Sequence, residues 1–216
     1  MFDTHILIYG AGGAGRELAF TLALNKDANT ALKLQGFIDD TEELWGKMVN
    51  DIPVLGGYKY LKKYSGNIAV TMFDDPKIRK ELISTIKNNN KIKFPNIISP
   101  TTIVAQNVEW GEGCIVNNFN VISTNTKLGD FVLVNSRSGI GHDSIIGDYT
   151  NIYAGVNIGG GVSIGCCSVI GSGATILPGI KIGDGSIIGG GALVSKDIPP
   201  RVVATGVPAK IIRNIS

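Results

Sequence analysis

The sequence predicts two domains of different class: an α/β unit with a Rossmann-like βαβ core over residues 1–94, then a parallel β-helix with a short tail over 95–216. Three observations carry this division. Aliphatic residues recur every six positions from Ile98 to Val194, with Trp110 the one departure. Glycine makes up 29 of 216 residues, about twice its ordinary share of roughly 7%, and twenty of the 29 lie after residue 100. The first apolar run, ending at Tyr9, opens directly into a glycine loop and a helical pattern.

The six-residue period excludes an amphipathic helix, whose apolar stripe repeats at 3.6. It fits a short strand and a tight turn. Three such rungs make one triangular coil of 18 residues, and stacked coils bury the aliphatic column. The position four beyond each aliphatic residue is small or β-branched in most rungs, as at Cys114, Thr126, Ser138, Ser144, Thr150 and Ser168. Glycine often follows the aliphatic residue, and Gly159-Gly160-Gly161 and Gly189-Gly190-Gly191 read as bare corners along which a long cofactor can lie.

In the N-terminal third, His5–Tyr9 reads as a buried strand, Gly10–Gly15 as a loop and Arg16–Leu24 as a helix. Gly36–Ile38 is a second strand ending in Asp39-Asp40, Ile68–Phe73 a third, and Pro76–Asn88 a helix with proline at its start. Strand, glycine loop, helix and strand form a βαβ unit. A complete dinucleotide fold needs a second half, for which about 90 residues leave no room.

The composition narrows the function. A net charge of +2 excludes an electrostatic grip on nucleic acid as the main activity. No apolar run approaches the roughly 18 residues of a membrane span, and the first residues lack the basic and long apolar regions of a signal peptide. The adjacent pair Cys166-Cys167 with Cys114 shows neither bridge nor metal spacing, which fits a reducing cytoplasm. No metal is expected.

Two groups of residues could carry chemistry. Backbone N–H groups around Gly12 and Gly13 at a helix start can hold an anion, and Asp39 lies where a dinucleotide fold places its ribose-binding acid; the plain alternative is a tight turn. In the second domain His142 is the single histidine, in a turn, with Asp143 beside it. A carboxylate next to an imidazole orients it and favours its protonated form, as a general base requires; the plain alternative is a surface histidine in a polar corner. Asn118, Asn135, Ser136 and Arg137 lie in neighbouring rungs and are expected to line the same groove. Cys114 reads as core, and Cys166-Cys167 lack a nearby base that would make them nucleophiles.

Tyr9–Glu17, Phe37–Asp40, Gly141–Asp148 and Gly206-Val207-Pro208-Ala209-Lys210 together resemble the bacterial nucleotide-sugar N-acetyltransferases that make 4-acetamido-4,6-dideoxy sugars. These are the bacillosamine, perosamine and viosamine acetyltransferases, related to the sialic-acid O-acetyltransferases. The resemblance implies a left-handed β-helix of hexapeptide repeats. It implies a cytoplasmic homotrimer that moves acetyl from acetyl-CoA to the 4-amino group of a nucleotide-linked sugar, for surface glycans such as the O-antigen of lipopolysaccharide. His142 would be the base and Asp143 its partner. Asn151 and Gly160 would meet acetyl-CoA, although some family members carry His at the first of these. Gly12, Gly13, Asp39 and Asp40 would meet the nucleotide. The family's run before a helical arginine is not matched by Phe73-Asp74-Asp75-Pro76 ahead of Arg79. O-acetylation of a sialic acid, or sugar-nucleotide binding without catalysis, are the alternatives.

Overall fold

The computed structural model describes residues 5–24, 32–71 and 75–215, which divide into two compact units, Met1–Pro95 and Asn96–Ser216.

The first unit is a six-stranded sheet with two helices. In chain order it has β1 (His5–Tyr9), α1 (Gly13–Leu24), β2 (Lys33–Ile38), β3 (Met48–Val49), β4 (Ile52–Gly56), β5 (Gly66–Val70), α2 (Pro76–Lys87) and β6 (Ile92–Lys93). Short 3₁₀ turns span Glu42–Leu44 and Tyr58–Lys63. The strand order is β3-β4-β2-β1-β5-β6, and only the β3–β4 pairing is antiparallel. Ile6, Leu7, Ile8, Phe37, Ile38 and Ile68 are fully buried in these central strands. A chain buried on both sheet faces reads as a continuous apolar run, and that is how β1 was recognisable.

The helix α1 begins three residues earlier than its periodicity suggests, so part of the glycine loop is its first turn. Gly15 is needed there because a Cβ at that position would lie 1.8 Å from the carbonyl oxygen of Gly10. The helix α2 starts as expected: Asp75 caps it by accepting from Lys77 N at 2.8 Å, and Pro76 occupies the first turn, where no N–H is missed. The third strand ends at Val70, and Thr71 lies beyond it; Met72 and Phe73 of the expected extension, and Asp74 after them, lie outside the described residues. The hairpin β3–β4 was not anticipated. Its two-residue turn uses Asn50 and Asp51, both with positive φ, as a type I′ turn demands.

The second unit is a parallel β-helix. Two-residue strands stack into three sheets of eight, six and five strands, and from Ile97 to Leu193 each parallel strand pairs with the one 18 residues on. The predicted column is the core: Val116, Ile122, Val134, Ile152, Ile170 and Ile188 are fully buried. Trp110 stands in the first coil, where the column begins, and its larger side chain packs, partly buried, against the core. Small inward residues fill the corners and satisfy the backbone there: the hydroxyls of Ser144, Thr150 and Ser168 donate to Gly159, Gly165 and Gly183 carbonyls at 3.1, 2.8 and 3.1 Å.

A second column was not read from the sequence. Every sixth residue from Asn107 to Gly191 has positive φ. The occupants are glycine, Asn, Asp, Phe, Tyr, Arg or Cys and never a β-branched residue, because a branched Cβ does not fit that conformation. The last coil is two residues short (Ile187 pairs with Val203), and the strands Val202–Thr205 and Lys210–Asn214 close the first sheet as an antiparallel pair.

Candidate active site

In the first unit the chain runs from β1 through α1 to β2 on one side, and later returns to β5 on the other side of β1. The strand order therefore reverses between β1 and β5, and open α/β sheets bind ligands at the carboxyl ends of strands at such a point. The loop after β1 stands at those ends. Gly12 and Gly13 are exposed there, and a Cβ on either would meet nothing within 4 Å.

Asp39 ties this loop to the end of β2. Its Oδ2 accepts from Ala11 N at 2.8 Å and its Oδ1 from Thr41 N at 3.0 Å. Burial pushes the Asp39 carboxyl up, but these N–H donors outweigh it and hold it below its ordinary value. Asp40 likewise has both oxygens engaged: Tyr9 O–H donates to Oδ2 and Tyr58 N donates to Oδ1 at 2.8 Å. Burial first, and then the Asp40 carboxylate, push the Tyr9 hydroxyl far above the ordinary range, so it stays a donor. The acidic pair thus builds the loop; a carboxylate has about four acceptor sites, so each retains capacity.

Beside this turn is a cavity of about 670 Å³, lined by Glu42, Trp45, Gly57, Lys59, Tyr60 and Lys63 among others. Trp45 Nε1 donates to the Asp39 carbonyl at 2.7 Å. Aromatic rings with lysines can stack on a base and offset anionic charge. No sequence pattern pointed to these residues.

In the second unit His142 and Asp143 occupy the corner between the six-stranded and five-stranded sheets. His142 Nδ1 lies 2.7 Å from Asp143 Oδ2, with both side chains more than half exposed. Hydrogen bonds from His142, and then from Asn125, hold the Asp143 carboxyl below its ordinary value. An ionised carboxylate only accepts, so Nδ1 carries the hydrogen on this bond, and Nε2 is the nitrogen left for other partners.

Gly160, one coil on, makes room for this ring: a Cβ there would lie 2.5 Å from His142 Nε2. The structure brings His142, Asp143 and Gly160 together. It does not bring Asn118 and Asn135 to them. Those two lie on the preceding corner, between the eight-stranded and six-stranded sheets, where Asn118 is buried and accepts from Ser99 Oγ at 2.6 Å, and Asn135 Oδ1 accepts from Asn117 Nδ2 at 3.3 Å. The expectation that they share a groove with His142 within one chain is corrected accordingly. Asn151 is also displaced from its expected role: it is fully buried on the eight-stranded sheet and presents no exposed atom to a cofactor. Asn125, not anticipated, donates from Nδ2 to Asp143 Oδ1 at 3.0 Å.

Cys114 is core, with its thiol pushed up to about 11 by burial. Among the described residues no three His, Cys, Asp or Glu side chains are grouped to hold a metal ion, and no helix is long and apolar enough to cross a membrane.

Residues 125–160 and 161–196 match the family described as bacterial transferase hexapeptide (six repeats). Those two stretches carry the hexapeptide repeats that the family model describes. The fold of the chain is similar to that of PerB from Caulobacter crescentus, solved with CoA and GDP-perosamine, at 27% identity over 97% of each chain and a TM-score of 0.87. The acetyltransferase domain of PglB from Neisseria gonorrhoeae, solved with acetyl coenzyme A, is similar at 27% identity over 97% of this chain and 100% of that one, with a TM-score of 0.87. WeeI from Acinetobacter baumannii is similar at 28% identity over 96% and 99%, with a TM-score of 0.83. No curated protein sequence matches. The β-helix of this chain is left-handed, against the right-handed rule for ordinary crossovers.

Proposed function

We propose that this protein moves acetyl from acetyl-CoA to the 4-amino group of a nucleotide-linked 4-amino-4,6-dideoxyhexose. The observation that carries the reading is the His142–Asp143 pair at 2.7 Å, with His142 Nε2 over the bare corner at Gly160. The likeness over nearly the whole chain to PerB, solved with CoA and GDP-perosamine, supports the substrate class, and that to PglB, solved with acetyl coenzyme A, supports the donor.

The chemistry follows from the geometry. The sugar amine attacks the thioester carbon, the C–N bond forms, and His142 Nε2 takes the proton. The C–S bond then breaks and the proton leaves with the CoA sulfur. Asp143 keeps the ring in the tautomer that can accept and stabilises the imidazolium that results. The glycine loop and the Asp39–Asp40 turn would hold the nucleotide, and the corner at Gly160 would run beside the pantetheine arm. The working form would be a homotrimer in the cytoplasm, where acetyl-CoA is available, with acetyl-CoA between neighbouring β-helices and the product destined for a surface glycan such as an O-antigen.

The test is turnover with acetyl-CoA and 4-amino sugars linked to UDP, dTDP or GDP, with free sialic acid alongside. An N-acetylated nucleotide sugar is expected with one nucleotide. O-acetylated sialic acid, or no product from any of them, would overturn the reading. In the same assay His142→Ala is expected to lower kcat by about tenfold to 10⁴, the upper part being the usual range for a general base.

A further inference from the structure

The corner that carries the dyad also carries a ladder of amides. Asn107, Asn125 and Asp143 stand on successive coils, each at φ 58°. Asn107 Nδ2 donates to Asn125 Oδ1 at 3.4 Å, and Asn125 Nδ2 donates to Asp143 Oδ1 at 3.0 Å. Asp143 Oδ2 meets His142 Nδ1. The direction of the ladder is fixed by chemistry: the ionised carboxylate can only accept, so Asn125 must turn its nitrogen to Asp143 and its oxygen to Asn107.

Backbone conformation does not demand this arrangement. Other corners hold Phe119, Phe131, Arg137, Tyr149, Cys167 or glycine at the same φ. At several other corners the side chains bridging coils serve the backbone, as Asp148 Oδ1 does for Asp130 N and Asp184 Oδ1 for Cys166 N, both at 2.8 Å, while the Asn117–Asn135 link joins two neutral amides. Asn125 instead spends its donor on the carboxylate of the dyad. Asp143 is well exposed, so without a fixed donor its carboxylate would rotate among water molecules, and the ring with it.

Resting on the base reading of His142, we propose that Asn125 is a positioning residue: it pins Asp143 Oδ1 so that Oδ2 stays on His142 Nδ1 and Nε2 remains the nitrogen that takes the proton. Asn107 orients the Asn125 amide in turn.

The charged groups facing this corner are few. The strand it leads into carries the pair Lys127–Glu109 at 2.9 Å, which is neutral as a unit. The neighbouring corner residues Thr124, Gln106, Gly160, Gly161, Leu177 and Pro178 carry no charge. A charge introduced at residue 125 should therefore be felt by the dyad.

The experiment compares pH profiles of kcat/KM for wild type, Asn125→Asp and Asn125→Gly. Both replacements tolerate a positive φ. Asn125→Asp swaps the donor for a carboxylate and adds negative charge beside the imidazole. The acidic limb of its profile is expected to move up by about half to one pH unit, and kcat near pH 7 to fall by roughly three- to thirtyfold. Asn125→Gly adds no charge; its kcat is expected to fall by a similar factor with its acidic limb unmoved. Acetyl-CoA affinity and melting temperature should stay near wild type in Asn125→Asp. A purely structural role would lower stability and leave both profiles in place. An active Asn125→Asp with an unmoved limb, alongside a crippled His142→Ala, would overturn this inference alone. If His142→Ala keeps full kcat, the base reading falls and this inference falls with it.

Discussion

A missing side chain at Gly160 decides where the His142 ring can lie. A Cβ there would come within 2.5 Å of Nε2 and 2.6 Å of Cε1, distances that force the ring to move. The Gly160 backbone lies outside the positive-φ region, so alanine meets no backbone strain. Gly160→Ala therefore separates the catalytic geometry from the fold. Its kcat should fall by about tenfold or more, since displacing a base from its reaching position forfeits part of the 10²–10⁴ it supplies. Its melting temperature should stay within about 2 °C of wild type, because the clash is with an exposed side chain. Thermal unfolding and single-substrate kinetics on one preparation check both. Full activity in a folded variant would show that the ring position is not required. Such a glycine cannot be singled out by composition, since Gly159 and Gly161 flank it. It becomes visible once 18 is known to be the coil length and His142 is counted forward by that number.

Among the elements, the loop after β1 is held by the turn after β2, through Asp39 to Ala11 and Thr41. Two consequences follow for Asp39. Its folded-state carboxyl is held below the ordinary 3.8, so it contributes stability above that value, which is lost as pH falls through the lowered one. Wild type is expected to lose more stability between about pH 5 and 3 than Asp39→Asn, which cannot gain a proton there; acid titration of unfolding for the pair checks this. Asp39→Ala should also raise KM for the sugar nucleotide by about tenfold while leaving KM for acetyl-CoA unchanged. A rise confined to acetyl-CoA would reverse the roles of the two units. Why some elements were legible and others not is plain at this scale. The column from Ile98 to Val194 was readable because every coil repeats one inward demand. The hairpin β3–β4 was overlooked because β3 has two residues and Pro53 demotes β4, although Asn50-Asp51 carried the turn signal. Asn118 is near His142 in sequence, but the two differ by one coil and one further rung, which moves a residue to the next corner. Asn125, one coil before Asp143, was the residue that counting by coils would have found. Asn151 reads as a surface position by phase, and nothing in the sequence reveals that it is covered.

Across the second unit the three faces of the β-helix differ in kind. The eight-stranded face buries its outward residues Ile97, Ile115 and Leu133. The five-stranded face carries Glu109, Lys127 and Lys181 outward, with one exposed aliphatic residue, Ile145, among them. The six-stranded face exposes Ile103 at 66% and Val121 at 48%, stacked on adjacent coils, with Phe119 at 65% on the corner leading into it. Only 11 charged residues lie between Ile98 and Ile198. Burying an exposed residue of this size yields about 1.5–3 kcal/mol, so three per chain, repeated around a closed ring, form a strong drive to associate. The proposed trimer supplies the partner for this face. Light scattering on wild type should give about three times the 22.8 kDa of one chain. Ile103→Asp with Val121→Asp places charges where the patch is, at outward positions that the core does not need. The double variant should fold with its circular dichroism intact, sediment as a monomer, and lose most of its kcat/KM for acetyl-CoA, because a groove between β-helices needs two of them. If it is monomeric yet fully active, the acetyl-CoA site lies within one chain. If wild type itself is a stable monomer at micromolar concentration, the apolar face must serve something other than a copy of this chain.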